Sequence, residues 1–347
     1  GTFSGVIADT DKAGGHIGSL MKDGTGTQVL TGNNTYTGQT GIINGTLVLT
    51  GDTKSSSFNI GFGDATLEFN LPTDRMYGAT SFEGFGILRK TGAGSIEWGS
   101  GSATFALNSG SKIEVLGGTF VGGSYNNEVW TNNKADLHVA IGGTFSGVEA
   151  KVRVDALTGG GTITSGYNAS NPGSFTFGVD NGSGTFSGVL ANGSYPGRFI
   201  KEGTGTQALT GTNTFTGALT IDGGTLQLGS SGTVLADTLP VRISAGTLAL
   251  GASLEKIGSL TVDGQGVLSI EIFGPGSYER LAMANGITLN GGTLRLTLGD
   301  GYVPNVGDVF DLLDWGTTIS GAFATLDLPA GITWDTSRLY TDGTVSI

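Results

Sequence analysis

The segment LMKDGTGTQVL at 20–30 returns almost unchanged as FIKEGTGTQAL at 199–209, 179 positions later, and a looser copy, LRKTGAGSIEW, stands at 88–98. A chain that repeats itself at this distance is built of stacked units, each burying its apolar edge only against its neighbours. A shorter motif sets the finer period: a Gly-containing turn followed by Thr-Leu-x-Leu or a close variant. It reads NGTLVL at 44–49, DATLEF at 64–69, GGTLQL at 223–228, AGTLAL at 245–250 and GGTLRL at 291–296. Neighbouring threonines lie 20 and 22 residues apart, and the last pair 46 apart, two steps of 23 with GVLSI at 266–270 in the gap. The long copies are then about three and about eight such steps apart. A rung of roughly 20–25 residues is the period of a parallel β-solenoid.

Side-chain alternation supports this period. In TLVL, Leu47 and Leu49 share one face and Thr46 and Val48 the other. Leu226 and Leu228, Leu248 and Leu250, and Leu294 and Leu296 repeat the arrangement, so stacking predicts continuous leucine columns inside the coil. Tyr36 in TGNNTYTG and Phe215 in TGTNTFTG are read as matching stacking positions. Glycine is 65 of 347 residues, enough to supply sharp corners with φ > 0 at every rung. The expected fold is all-β: a parallel β-helix, right-handed as is usual, roughly 60–70 Å long, with a C-terminal non-repeat β cap. No helix is predicted; the best stretch, SLEKIG at 253–258, is too short to stand alone.

Two regions depart from the repeat. Residues 121–136, VGGSYNNEVWTNNKAD, are polar and lack the leucine pair, and are expected to leave the coil. Residues 300–347 lose the Gly-turn rhythm and hold seven Asp against one Arg, half of the net charge of −12. The expected organisation is a solenoid over 1–299 and an acidic cap over 300–347 that closes the last β edge. The opening GTFSG recurs at 143–147 and 184–188, so the chain is expected to start inside a repeat unit, with its first rung lacking a neighbour.

At this point the residues carry a likeness. The run 182–229 resembles the autotransporter-associated β-strand repeat, or passenger-associated transport repeat, through Phe186, Ser187, Gly188, Lys201, Gly203, Gly205, Thr206, Asn213, Thr214, Thr216, Gly217, Gly224, Thr225 and Leu226. Residues 3–51 resemble it through Lys22, Gly24, Gly26, Thr27, Asn34, Thr35, Tyr36, Thr37 and Gly38, whereas 88–98 keeps only Lys-x-Gly-x-Gly. The tail, with GDVFDLLDW at 307–315, is similar to the terminal segment of large cell-envelope repeat proteins. The resemblance implies a secreted or surface-displayed bacterial β-helix and no shared catalytic residues.

Candidate chemistry is sparse. The only two histidines, His16 and His138, stand beside no evident nucleophile, and no catalytic residue or resident cofactor is expected. Asp9, Asp23, Asp52, Asp64, Glu202 and Asp222 fall at turns, where carboxylates satisfy backbone N–H groups, in preference to forming a glycosidase pair. Asp308, Asp311 and Asp314 are spaced by three; they are read as a solvated acidic surface, with Ca²⁺ as the weaker alternative. Lys22, Lys90 and Lys201 recur at one register and are read as an outward basic stripe that discourages mis-stacking. The glycine-rich KTGAGS and KEGTGT carry no Walker pair, and the acidic balance argues against nucleic acid. No apolar run is long enough for a membrane helix.

The function expected is a structural extracellular or cell-surface protein, a fibre subunit or adhesin stalk. Self-association would run head to tail, with Phe3, Val6 and Ile7 of the first rung docking on Asp308, Asp311 and Asp314 of the next copy's cap. The alternative is an adhesin that binds carbohydrate or a host ligand through Tyr125 and Trp130 of the 121–136 excursion. A polysaccharide-acting enzyme comes third.

Overall fold

The computed structural model describes residues 1–10, 16–99, 103–123, 128–170, 172–230, 233–251, 253–299 and 301–347. Its strands fall into stacks that form the sides of one coil. The first side begins with Leu20–Lys22, Gln39–Ile42, Ser57–Ile60, Thr80–Gly84 and Ala103–Leu107, all parallel. Val129 and Lys134 then hydrogen-bond back to Ala103 and Leu107, and Ala135 accepts from Asp155. The same side resumes with Lys151–Val154, Ser174–Phe177, Arg198–Lys201, Ala218–Ile221 and Pro240–Ile243. The second side runs unbroken from Thr2–Phe3 through Thr27–Leu30 and Thr46–Leu49 to Thr206–Leu209, Thr225–Leu228 and beyond. The third holds Arg75–Tyr77, Ser95–Trp98, Gly118–Val121, Gly143–Ser146, Thr162–Ser165 and Val189–Asn192. The all-β parallel solenoid expected from the repeat is therefore the fold.

Register follows the Thr-Leu motif. Thr46 faces Thr66, and Leu47 faces Leu67, which faces Leu88. Further along, Leu226, Leu248, Leu268, Leu294 and Leu326 form one column, and Val267 of GVLSI stands in register with Thr247 and Thr293. The step between partners on this side varies from 19 residues (Thr27 to Thr46) to 32 (Thr293 to Thr325), because loops between strands differ in length while the strands stay aligned. Parallel strands on all sides give every inward residue a neighbour above and below, so the core is a line of columns.

One column is aromatic. Phe58 and Phe82 stack at 5.4 Å, Phe82 and Phe105 at 5.1 Å, and Phe105 and Trp130 at 4.0 Å, with interplanar angles of 7°, 10° and 14°. All four side chains are fully buried. Tyr36 and Phe215 are also fully buried, eight rungs apart, and the Tyr36 hydroxyl is 2.6 Å from Thr40 Oγ1.

Beyond 299 the coil continues for one rung: Ile319–Ala322 and Thr325–Asp327 pair in parallel with Ile287–Leu298. Val309–Asp311 pairs antiparallel with Thr344–Ser346, and a single helical turn, Leu339–Asp342, ends at Gly343 in the left-handed conformation with φ 77°. Phe310, Leu312, Leu339 and Val345 pack under this closure, which gives the last rung a covering that is not another rung.

Because Phe105 has a ring on each side, Phe105→Ala opens a void in the middle of the aromatic column. It should lower stability by about 3–5 kcal/mol, seen as an earlier urea midpoint with the slope unchanged.

Candidate functional site

The recurring lysines point inward, which overturns the outward stripe. Lys90 and Lys201 are 0% exposed and Lys22 is 9% exposed. Lys22 Nζ donates to the carbonyls of Asp23 (3.0 Å), Gly24 (2.6 Å) and Asn44 (2.9 Å). Lys90 Nζ does the same to Thr91 (2.6 Å), Gly92 (2.9 Å) and Gly117 (3.3 Å). Lys201 Nζ reaches Glu202 (2.6 Å) and Gly223 (3.2 Å). Each ammonium closes its own turn and the turn of the next rung. The residue after the last acceptor is a glycine with positive φ: Gly45, Gly118 or Gly224. At Gly118 and Gly224 an added Cβ would sit 2.9 and 2.8 Å from the lysine Nζ, so the ammonium occupies the space that the missing side chain leaves. Burial pushes the Lys90 ammonium down to about 8 and lowers that of Lys201 as well.

The three lysines also do not share a register. Lys22 pairs with Ile42, and Lys201 with Phe177 and Ile221, at the ends of first-side strands. Lys90 pairs with Phe69 and Val115 on the second side and turns onto the third. The same local unit therefore serves two different corners.

Other motif residues work the same way. Asn213 accepts from Leu190 N (2.8 Å) and donates to Gly211 O (3.0 Å) and Val234 O (2.9 Å), linking three rungs; Asn34 accepts from Ile7 N and donates to Gly32 O. Gln207, 1% exposed, bonds both the N–H and the carbonyl of Leu157 and the carbonyl of Gly184. Buried carboxylates serve the N–H groups: Asp155 Oδ1 accepts from Asp180 N and Gly182 N at 2.8 Å each, and Glu255 accepts from Leu235 N (2.7 Å) and Val234 N (3.1 Å). Glu279 accepts from Glu271 N at 2.8 Å, and burial pushes its carboxyl up to about 7.

The residues singled out for binding or assembly fall as follows. Trp130 is 1% exposed; its ring ends the aromatic column and its Nε1 donates to Gly122 O at 2.7 Å. It offers no face to a ligand, because the rung-spaced column of phenylalanines draws the indole inside. Tyr125 lies outside the described residues. Phe3 and Val6 are exposed, Ile7 is half-buried, and Thr2–Phe3 pairs with Val29 and Leu30. Arg280 Nη2 holds both Asp311 and Asp314, the latter at 2.8 Å, and Tyr302 and Asn305 N hold Asp308, the latter at 2.7 Å. Those carboxylates are engaged by their own chain. His138 Nδ1 lies 3.0 Å from Thr158 Oγ1, and His16 is exposed. None of these places converging catalytic groups.

The surface holds a feature that the motif analysis missed. Phe62 (73% exposed) and Phe85 (39% exposed) lie on successive rungs with ring centroids 4.5 Å apart and planes 11° apart. Two troughs of about 450 and 380 Å³ adjoin them and share Asn59, Gly61 and Phe62. The register stacks Gly41, Asn59 and Glu83 outward on the first side. Glu83 Oε1 accepts from Asn59 Nδ2 (3.1 Å) and Gln39 Nε2 (3.4 Å). The spacing of Phe62 and Phe85, 23 residues, is the only signal in the sequence that could have paired them.

On one strand, Arg89 faces out between Glu68 and Glu114 while Lys90 faces in. Lys90→Met should cost about 1–3 kcal/mol by leaving corner carbonyls without a donor, and Arg89→Met about 1 kcal/mol or less; paired denaturation curves check this. At pH between about 4.5 and about 7 the fold favours a proton on Glu279 that the unfolded chain, with its carboxyl near 4.5, releases. Its contribution is complete below about 4.5 and is lost as pH rises through about 7. Glu279→Gln should flatten the stability profile across that window, measured by unfolding at a series of pH values.

Residues 20–53 and 199–228 match the passenger-associated-transport-repeat. The chain is 31% identical over 246 residues, 62% of its length, to the adhesin BmaC autotransporter of Brucella suis biovar 1 (strain 1330). That match covers 7% of the relative, so the chain spans a small part of the protein it matches. Both matched segments contain the corner lysine and the cross-rung asparagine, Lys22 with Asn34 and Lys201 with Asn213. This chain carries the passenger-associated transport repeat at two places, eight rungs apart, in one parallel β-solenoid.

Proposed function

We propose that the chain is a stretch of adhesin passenger, displayed at or released from a bacterial surface, whose task is to be a stiff stalk and to carry binding surfaces along its length. One observation carries this reading. The repeated polar residues, Lys22, Lys90, Lys201, Asn34 and Asn213, are turned onto the solenoid's own backbone, so repetition serves the wall and leaves the outer surface free to vary. The similarity to an autotransporter adhesin points the same way. Outward ion pairs on two sides, Arg89 between Glu68 and Glu114 on the second and bidentate Arg153–Glu202 and Arg242–Asp263 on the first, read as a solvated wall. A non-enzymatic role follows from this reading.

Small-angle scattering of the purified chain should report a monomeric rod roughly 65–70 Å long, and beads coated with it should adhere to host-cell or matrix surfaces above uncoated beads. A compact particle in scattering, or no adherence on any surface tried, would sink the reading. Sedimentation at rising concentration examines head-to-tail assembly separately; a strictly monomeric species leaves the stalk reading intact and removes the fibre.

A further inference from the structure

The exposed ring pair on the first side asks for an explanation that the wall does not supply. Phe62 and Phe85 add nothing to the core columns, and two apolar rings stacked in water on a repeat surface run against the ordinary preference for polar side chains there. Beside them the wall is cut down to backbone: Gly61 floors both troughs, and a Cβ there would lie 2.7 Å from Ile42 O. Next to the rings stand three polar side chains from three successive rungs. Asn59 and Gln39 both donate to Glu83 Oε1. That leaves Glu83 Oε2 and the two amide oxygens as a row of acceptors that take no hydrogen bond from described residues.

We infer that this groove binds a neutral polysaccharide, with the C–H faces of its sugar rings against Phe62 and Phe85 and its hydroxyls donating to Glu83, Asn59 and Gln39. Flat apolar faces beside a few fixed polar groups are what a sugar ring, apolar on its faces and hydroxylated at its rim, requires. The polar groups offer acceptors, and among the described residues no Lys or Arg lines either trough. On a chain of net charge −12 that disfavours uronate or sialate polymers. A second copy of the chain fits less well, since an apolar partner laid over the rings would bury the Glu83 cluster without donors. The two troughs adjoin along successive rungs, so the ligand is a chain of sugars rather than one. The inference deepens the adhesin reading and rests on it for the biological source of the polymer.

Affinity electrophoresis of the whole chain through gels containing dextran, mannan or laminarin tests it, with polygalacturonate as the anionic comparison. At least one neutral polymer should retard the protein, and polygalacturonate should not. The double variant Phe62→Ala/Phe85→Ala should weaken that retardation about tenfold or more, and Glu83→Ala should weaken it several-fold. Both changes are on the surface, and circular dichroism with a melting curve verifies that the solenoid persists. Failure of every neutral polymer, equal retardation of the double variant, stronger binding to polygalacturonate, or a dimer abolished by the double variant in the absence of polysaccharide binding would each overturn the assignment. Bead adherence separates the two readings: adherence unchanged in the double variant removes the groove and keeps the adhesin, whereas retardation without adherence does the reverse.

Discussion

Everything in this molecule depends on how the coil satisfies its backbone at the corners. Along the sides, each strand finds its hydrogen-bond partners in the rungs above and below. At a corner the chain bends, carbonyls point inward, and the low-polarity core offers them nothing. The lysine ammonium answers this because it carries three donors on a long apolar stem. It can lie in the core and close two turns at once, as Lys90 does with Thr91, Gly92 and Gly117. Asn213 and Gln207 extend the same principle to places that need a donor and an acceptor together. Burial of the charge is tolerated because two or three carbonyls accept from each ammonium, and a neighbouring left-handed glycine leaves room for it.

This division of labour has a functional consequence. Once signature residues are directed to the interior, outward positions are under no architectural demand and can differ from rung to rung. The wall carries charge ladders in one place and a stacked phenylalanine pair over a glycine floor in another. A coil built this way can carry different outward surfaces without changing its core. Successive rungs are tied together by rung-to-rung hydrogen bonds and by columns such as Phe58, Phe82, Phe105 and Trp130, in which the inner rings, Phe82 and Phe105, each lie between two others.

Much of the fold was legible in the residues, and the errors are instructive. The Thr-Leu motif located strands and register, down to Val267 in the gap between two stronger copies. Trp130 was misjudged because its surroundings are polar, yet Phe58, Phe82, Phe105 and Trp130 are 24, 23 and 25 residues apart, which is rung spacing. The period was a better guide than local composition. The lysines were misjudged for the opposite reason: a charged side chain at a turn is ordinarily solvated, and only the coil shows how many carbonyls converge there.

The sequence by itself determined the local unit, a strand ended by a lysine or a leucine pair, a glycine corner and a further strand, and it determined that such units must stack. Those are consequences of side-chain alternation and of the backbone angles that only glycine adopts cheaply. Which side of the coil a unit occupies was decided by the tertiary structure. Lys90 sits on the second side and Lys22 and Lys201 on the first, while GTFSG lies on the third side at Gly143–Ser146 and on the second at Gly184–Phe186. The corners are chemically alike, so the same residues suit any of them. Placement follows from where neighbouring rungs leave partners for the strand, a quantity summed over the whole stack and written in no single segment.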